Sequence, residues 1–202
     1  MKHQKIDRRI VRTKRLIRDA LTDLLEEKSF EEITVKDITD TADINRGTFY
    51  LHYDSKYALL EKSEDEILDE MKESLKKIST SMIIHSQSQN EPVPFLVNLF
   101  ETLHQNAHFM KVILGPKGNP VFQVKIKKFM RDNFLEKVMQ HSKGENLLVP
   151  IEHLMAYVSS AHLGVIQQWL ETDTKESPRD MALILSKITF YGPAYIVGIR
   201  KD

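Results

Sequence analysis

The chain has 202 residues, no cysteine, and 29 basic side chains against 29 acidic ones, so its formal charge is zero. A hydrophobic content of 41% is enough for a packed core and excludes a wholly disordered chain, while the lack of cysteine excludes disulfide frameworks, thiolate zinc sites, iron–sulfur clusters and cysteine nucleophiles. No apolar run approaches the ~18 residues of a spanning helix and the basic N-terminus lacks an apolar signal-peptide stretch, so the expectation is a soluble cytoplasmic protein with no membrane association and one or two domains.

Zero net charge conceals an uneven distribution. Residues 1–18 carry Lys2, Lys5, Arg8, Arg9, Arg12, Lys14, Arg15 and Arg18 against a single acid, Asp7. Phosphates respond to local potential, so such a cluster is a candidate electrostatic footprint for nucleic acid. Taken alone, the run suits a solvated surface with no partner better, since such runs are common on ordinary surfaces.

Residues 1–91 contain no proline and one glycine, Gly47, which reads as helices joined by tight turns. Apolar spacing of three and four predicts helices throughout, hence an all-α fold. The first helix is expected over about Asp7–Lys28 with the stripe Ile10, Ile17, Leu21, Leu24 and Leu25, closed by Phe30 and Ile33. The second opens at Thr34-Val35-Lys36-Asp37, where Thr34 caps and Asp37 takes the place of the Glu of a capping box; Ile38 and Ala42 face inward. After the turn Asp43-Ile44-Asn45, a third helix places Phe49 and Tyr53 inward and leaves Arg46, Thr48, Tyr50 and His52 mostly outward. Asp54 or Ser55 caps a long fourth helix, Ser55–Ile78, with Tyr57, Leu60, Ile67, Met71, Leu75 and Ile78 on one side.

Two short helices joined by a tight turn behind a longer one form a helix-turn-helix, here about 34–53. The second helix of such a pair enters the major groove and presents its first residues to base edges. Those residues are Asn45, Arg46, Gly47, Thr48 and Tyr50. Arginine can bind guanine bidentately, asparagine adenine, and threonine offers a hydroxyl or a methyl. Gly47, lacking Cβ, lets the backbone come close to DNA. Thr34, Lys36, His52, Tyr53 and Lys56 lie at helix ends or flanks, where phosphate can be gripped.

Ile33-Thr34-Val35-Lys36-Asp37-Ile38, then Ala42, Asn45-Arg46-Gly47-Thr48-Phe49-Tyr50, His52-Tyr53 and Lys56, strongly resembles the N-terminal domain of TetR-family transcriptional regulators over roughly residues 8–70. The family pattern Tyr-x-His-Phe stands here as Tyr50-Leu51-His52-Tyr53, and Asp43 follows Ala42 where glycine is frequent. The resemblance implies that Lys36, Tyr50, His52 and Lys56 contact phosphates, while Arg46, Thr48 and Tyr50 face bases. It implies double-stranded operator DNA as partner.

The rest of the chain reads as a second helical domain. His85–Val93 is a linker candidate. Helices are expected from about Pro94 to Gln105 (Leu96, Leu99, Phe100, Leu103), from Ala107 (Phe109, Met110, Ile113, Leu114), and from Val121 to His141 beyond the turn cluster 115–120. Two more follow near 151–171 and 178–191, the last opened by Ser177-Pro178-Arg179-Asp180. Both carry apolar residues beyond one stripe: Leu154, Val158, Ala161, Val165 and Trp169 beside Met155, His162, Ile166 and Leu170, then Met181, Ile184, Ile188 and Tyr191. Such helices are either deeply buried or paired with a second subunit. Segments 114–122, 164–171 and 176–178 resemble the C-terminal domain of a TetR subgroup frequent in Gram-positive bacteria. That resemblance implies a homodimer through the last two helices and a cavity for a small-molecule effector among the middle ones; the double apolar faces make Leu154, Val158, Val165, Met181, Ile184 and Ile188 the candidate interface, and Met110, Phe122, Tyr157, His162 and Trp169 are the candidate lining of the cavity.

The expected organisation is a DNA-binding domain over 1–54, a connecting helix over 55–84, and a regulatory and dimerisation domain over 94–202. The expected function is a transcriptional repressor released from a near-palindromic operator by an effector, with no cofactor, no metal and no catalytic residue. Two alternatives stand beside it. One is a ligand-independent nucleoid or cell-division factor of the same fold. The other is a helical metal-dependent enzyme using Glu101, His104 and His108, whose spacing of three and four suits one helical face.

Overall fold

A computed structural model describes residues 8–75, 91–116, 118–135 and 148–199. Every regular element among them is helical. The chain divides into two compact units, one running to Glu66 and the other beginning at Ile67.

The first unit is a small core built on α1 (Arg8–Glu27). Ile17, Leu21, Leu24 and Leu25 repeat at helical spacing and are buried with Ile33 and Ile38. The expected stripe begins one turn too early: Ile10 is 44% exposed, because the core of this unit reaches back only to Ile17. Phe30 is half-buried rather than closing the core. Helix α2 (Val35–Thr41) opens with the full capping box. Thr34 Oγ1 accepts from the Asp37 amide at 3.1 Å, and the Asp37 carboxylate accepts from the Thr34 amide at 2.8 Å. This reciprocal pair satisfies two of the N–H groups that a helix start leaves orphaned. The Asp37 carboxyl is held down to about 2, chiefly by the Thr34 backbone N–H and then by Lys28 at 3.0 Å.

Helix α3 is a short segment, Arg46–Tyr50. Helix α4 covers Lys56–Leu75, and the Ser55 hydroxyl accepts from the Ala58 amide at 3.2 Å, so Ser55 is its cap. The buried face of α4 differs from the expected stripe. Leu59, Ser63, Ile67, Met71 and Leu75 turn inward, four residues apart, while Tyr57 stands outside with its hydroxyl donating to Glu31. Leu60 is half-buried, and Ile78 lies outside the described residues.

The second unit packs α5 (Pro94–Gln105), α6 (Ala107–Leu114), α7 (Pro120–Met130), α8 (Ile151–Glu171), α9 (Pro178–Tyr191) and the short α10 (Pro193–Ile196) around one core. Helix α7 passes into a π-helical segment, Arg131–Leu135; the rest of the helix expected to His141 lies outside the described residues, as does most of the linker candidate. Phe95, Leu99, Phe100 and Leu103 of α5 are buried together with Phe109, Met110 and Ile113 of α6. The Trp169 ring meets Phe100 edge-on at 5.1 Å, and its indole N–H donates to the Glu176 carbonyl at 3.0 Å. That bond lets an indole be fully buried without leaving its donor unpaired. Ser177 caps α9, with Pro178 at the first helical position.

Candidate nucleic-acid interface

The turn between α2 and α3 is built by its backbone. Asp43 adopts φ 51°, the left-handed conformation that favours glycine and that aspartate tolerates better than most residues. The Ile44 amide then reaches back to the Thr39 carbonyl at 3.0 Å, and the chain re-enters a helix at Asn45. Phe49 and Tyr53 anchor this helix from below; Phe49 is fully buried, with the Tyr53 ring 5.8 Å away. Burial of an aromatic of this size contributes about 1.5–3 kcal/mol, a large sum for a five-residue helix.

Above that anchor, Arg46, Gly47, Tyr50 and Leu51 are exposed, and Thr48 and His52 are half-buried. Asn45 is the N-cap: its Oδ1 accepts from the Thr48 amide at 2.8 Å and from the Thr48 hydroxyl at 3.1 Å. This bond changes two of the expected base contacts. With its side-chain carbonyl committed, Asn45 retains only its amide hydrogens and does not make the two-sided contact with adenine. Thr48, its proton given to Asn45, offers a methyl group and acceptor lone pairs. Leu51, 81% exposed beside Tyr50, was not singled out by its sequence position, since nothing separates a surface leucine from a core one at that spacing.

The flanking residues divide. Thr34 and Lys36 are exposed at the first turn of α2, and Arg8, Arg9, Arg12 and Arg15 are exposed along the start of α1. Tyr53 is not a surface residue. It is 2% exposed, and burial, with the negative charge of Glu66 second, pushes its phenol up to about 12. Its side chain therefore supports the recognition helix and does not reach phosphate. Lys56 is also committed inward. Its ammonium donates to the carbonyls of Phe30, Glu31 and Ile33 at 2.8, 2.9 and 2.8 Å, its full complement of three hydrogens. It lies 4.8 Å from the centre of the Phe30 ring and 5.3 Å from that of Tyr57. Lys56 thus ties the turn preceding α2 to the start of α4. Lys62, exposed, donates to the His52 carbonyl at 3.3 Å, at the end of the recognition segment.

In the second unit, a small cavity of about 30 Å³ is lined, among the described residues, by side chains of α4, α5, α7, α8 and α9. Of the five lining residues expected from sequence, His162 alone borders it. Met110, Phe122 and Trp169 are buried in the core beside it, and Tyr157 is 56% exposed on the outer side of α8. The actual lining includes Met71, Leu99 and Ile166, ordinary core residues by pattern that carry no sequence signal of a cavity. His162 Nε2 lies 2.9 Å from the Thr189 hydroxyl, which itself donates to the Leu185 carbonyl at 2.7 Å. With the threonine proton so used, the imidazole donates from Nε2. Burial pushes His162 down to about 4, so the ring is neutral at pH 7.

The residues expected at a subunit interface also separate. Leu154, Val158, Val165 and Ile188 are half-buried and Ile184 is exposed, but Met181 is buried in the core of the second unit, where α9 packs on α5. Glu101 and His104 lie on α5 and His108 on α6, so the helix break at Asn106 interrupts the single face on which the three were expected. No group of three potential metal ligands occurs among the described residues, and no described helix is long and apolar enough to cross a membrane.

A capped, aromatically anchored helix presenting Arg46, Gly47 and Tyr50 behind a tight turn defines a helix-turn-helix DNA-binding protein. Sequence comparison agrees: residues 17–62 match the profile of bacterial regulatory proteins of the tetR family, and residues 90–191 match that of a transcriptional regulator C-terminal region. The chain belongs to the TetR family of transcriptional regulators. It is 27% identical over 169 residues to an uncharacterized HTH-type transcriptional regulator, YxbF, of Bacillus subtilis strain 168; the match takes in 80% of this chain and spans 40% of that relative's length. Among solved structures, a TetR transcriptional regulator from Streptococcus agalactiae superposes with a TM-score of 0.60 at 22% identity, over 90% of this chain and 96% of that one. The regulator FadR from Bacillus subtilis, solved in complex with stearoyl-CoA, gives 0.59 at 15% identity over 89% and 98%. The dihydroxyacetone kinase operon activator DhaS gives 0.55 at 18% over 95% and 99%. These likenesses define the fold, and the family and its neighbours are regulators, not enzymes.

Proposed function

We propose that the protein is a homodimeric repressor that binds a near-palindromic operator and is released by a small-molecule effector. The observation that carries this reading is the α3 surface: Arg46 and Tyr50 exposed, Gly47 without a side chain, and the helix start fixed by the Asn45 cap. Arg46 reads guanine in the major groove, and the Thr48 methyl and Tyr50 complete the base-facing set. Thr34 and Lys36, with the arginines of α1, grip phosphate, joined by His52 at the far end of α3. Lys56 and Tyr53 act behind that surface as supports.

A two-fold dimer presents two such helices to two half-sites about one helical turn apart. Leu154, Val158, Val165, Ile184 and Ile188 supply its apolar contact. A half-buried apolar strip with Ile184 exposed at its edge is the kind of surface a second copy covers. The cavity in the second unit supports effector sensing over a ligand-independent nucleoid or cell-division role. Met71 and Leu75 border it from α4, the same helix whose first residue holds the turn before α2. An effector that prefers one setting of α4 shifts the population between operator-competent and released forms.

Selection of genomic fragments on the purified protein tests the reading. An enriched inverted repeat retained by a dimer is expected. Retention of fragments without a shared motif would reject sequence-specific regulation.

A further inference from the structure

The outermost ridge of α3 carries one large side chain that the base contacts of Arg46, Thr48 and Tyr50 leave unused. Phe49, fully buried, fixes which side of α3 faces the core. At about 100° per residue, positions 47 and 51 each stand about 160° from Phe49, on either side of the line pointing away from that core. Leu51 is still helical, with φ −68° and ψ −20°, and its amide donates to the Gly47 carbonyl at 3.1 Å, so the two positions lie one turn apart on the ridge. Thr48 and Tyr50 stand on its flanks, about 100° from Phe49. Gly47 contributes no side chain. Leu51 is 81% exposed, more than any other large apolar residue described in the first unit. A helical side chain leans toward the N-terminal turn, which at Leu51 means over the bare backbone of Gly47.

A single exposed leucine is ordinary on a protein surface; the place of this one is not. A recognition helix enters the major groove ridge first, and a leucine on that ridge neither donates nor accepts a hydrogen bond. The apolar group that base edges offer it there is the C5 methyl of thymine. We infer that Leu51 is a specificity-determining residue that packs on a thymine methyl in each half-site. The inference rests on α3 being the recognition helix of an operator-binding protein, and it adds an apolar contact to the polar readout by Arg46. Leu51 lies five positions from Arg46, about 7.5 Å of helix rise. Its thymine therefore falls within about two or three base-pair steps of the guanine that Arg46 reads.

The test replaces single thymines of the selected operator by deoxyuridine, which removes the methyl and leaves every hydrogen-bonding group of the base in place. Binding is measured for the full-length wild type and for Leu51→Ala, whose folding is checked by circular dichroism; the exposed position leaves the core untouched. The expected result is one thymine per half-site whose replacement weakens the wild type by about fourfold, the worth of one buried methyl. Leu51→Ala should bind the unmodified operator at least that much more weakly and be insensitive to the same replacement. A deoxyuridine scan without effect on the wild type overturns the inference. So does equal methyl sensitivity in the two proteins, or undiminished binding by Leu51→Ala. Should the variant fail to fold, the wild-type scan decides alone. Fragment selection without an enriched motif would sink the regulator reading and this inference with it, whereas a shared motif beside a flat deoxyuridine scan would sink only the role of Leu51.

Discussion

Asn45 Oδ1 crowds the space that a side chain at position 47 would take: a Cβ built on Gly47 would lie 3.2 Å from it, so the oxygen would have to give by a few tenths of an ångström. Gly47 therefore serves the recognition helix in a second way besides baring backbone to DNA. It leaves room for the oxygen that caps the helix at the Thr48 amide. Asn45→Ala should cost about 1 kcal/mol of stability, the usual loss of an N-cap, and Gly47→Ala should displace the cap and weaken operator binding more than it weakens the fold. Urea titration beside operator binding separates the two effects. A Gly47→Ala protein that bound operator as the wild type does would remove the glycine from the interface.

Lys56 and Lys36 should fail differently. Lys36 is exposed and is assigned to phosphate, so Lys36→Ala should flatten the dependence of log K on log salt by about 0.9. Lys56 spends its hydrogens on three carbonyls, so Lys56→Met should lower both stability and operator affinity while leaving that slope unchanged. A slope reduced by Lys56→Met would return the ammonium to the phosphate backbone.

Acid stability should decline in two separate windows. The imidazole of His162 is depressed in the fold, so its contribution is present above the ordinary value near 6.5 and is lost as pH falls toward about 4. That loss amounts to about 3 kcal/mol at most. Asp37, also depressed, holds its contribution above 3.8 and loses it as pH falls through about 2. Urea midpoints measured from pH 7.5 to 4.5 should therefore fall for the wild type and stay flatter for His162→Gln. Parallel curves for the two proteins would contradict the neutral, buried state of the ring.

Charges placed in the second unit should sort its helices by face. Val165→Glu, at a half-buried position, and Ile184→Glu, at an exposed one, should yield soluble monomers that no longer retain operator. Met181→Glu puts a carboxylate into the subunit core and should unfold the second unit instead, since Met181 is 4% exposed. Sedimentation and circular dichroism distinguish the two outcomes. Soluble, fully dimeric Val165→Glu protein would exclude this face as the interface.

How far the sequence disclosed these features depended on the range of the interaction involved. Local signals translated directly: the Thr34–Asp37 box, the Ser177-Pro178 start of α9 and the break before α6 depend on residues within four positions of one another. Asp43, where the family often has glycine, was a visible departure, and the left-handed φ of 51° gives its reason. Long-range relations were not legible. Nothing in the order of residues says that Lys56 closes on Phe30, Glu31 and Ile33, more than twenty positions away, or that Met71 and Ile166 border empty space while Met110 and Phe122 do not. Periodicity marks a residue as inward, and packing alone decides whether it meets another side chain or a cavity. The Ile10 and Tyr57 departures have the same origin, for each is apolar and in helical register but lies past the edge of the core it was expected to join.

The most direct test of the central claim is base-resolved operator binding by Arg46→Ala and Lys36→Ala, measured against single-base operator variants at several salt concentrations. If α3 reads the major groove, Arg46→Ala loses about 1–3 kcal/mol of discrimination at one position in each half-site, whereas Lys36→Ala weakens all variants equally. Full discrimination retained at every operator position by Arg46→Ala would contradict the account.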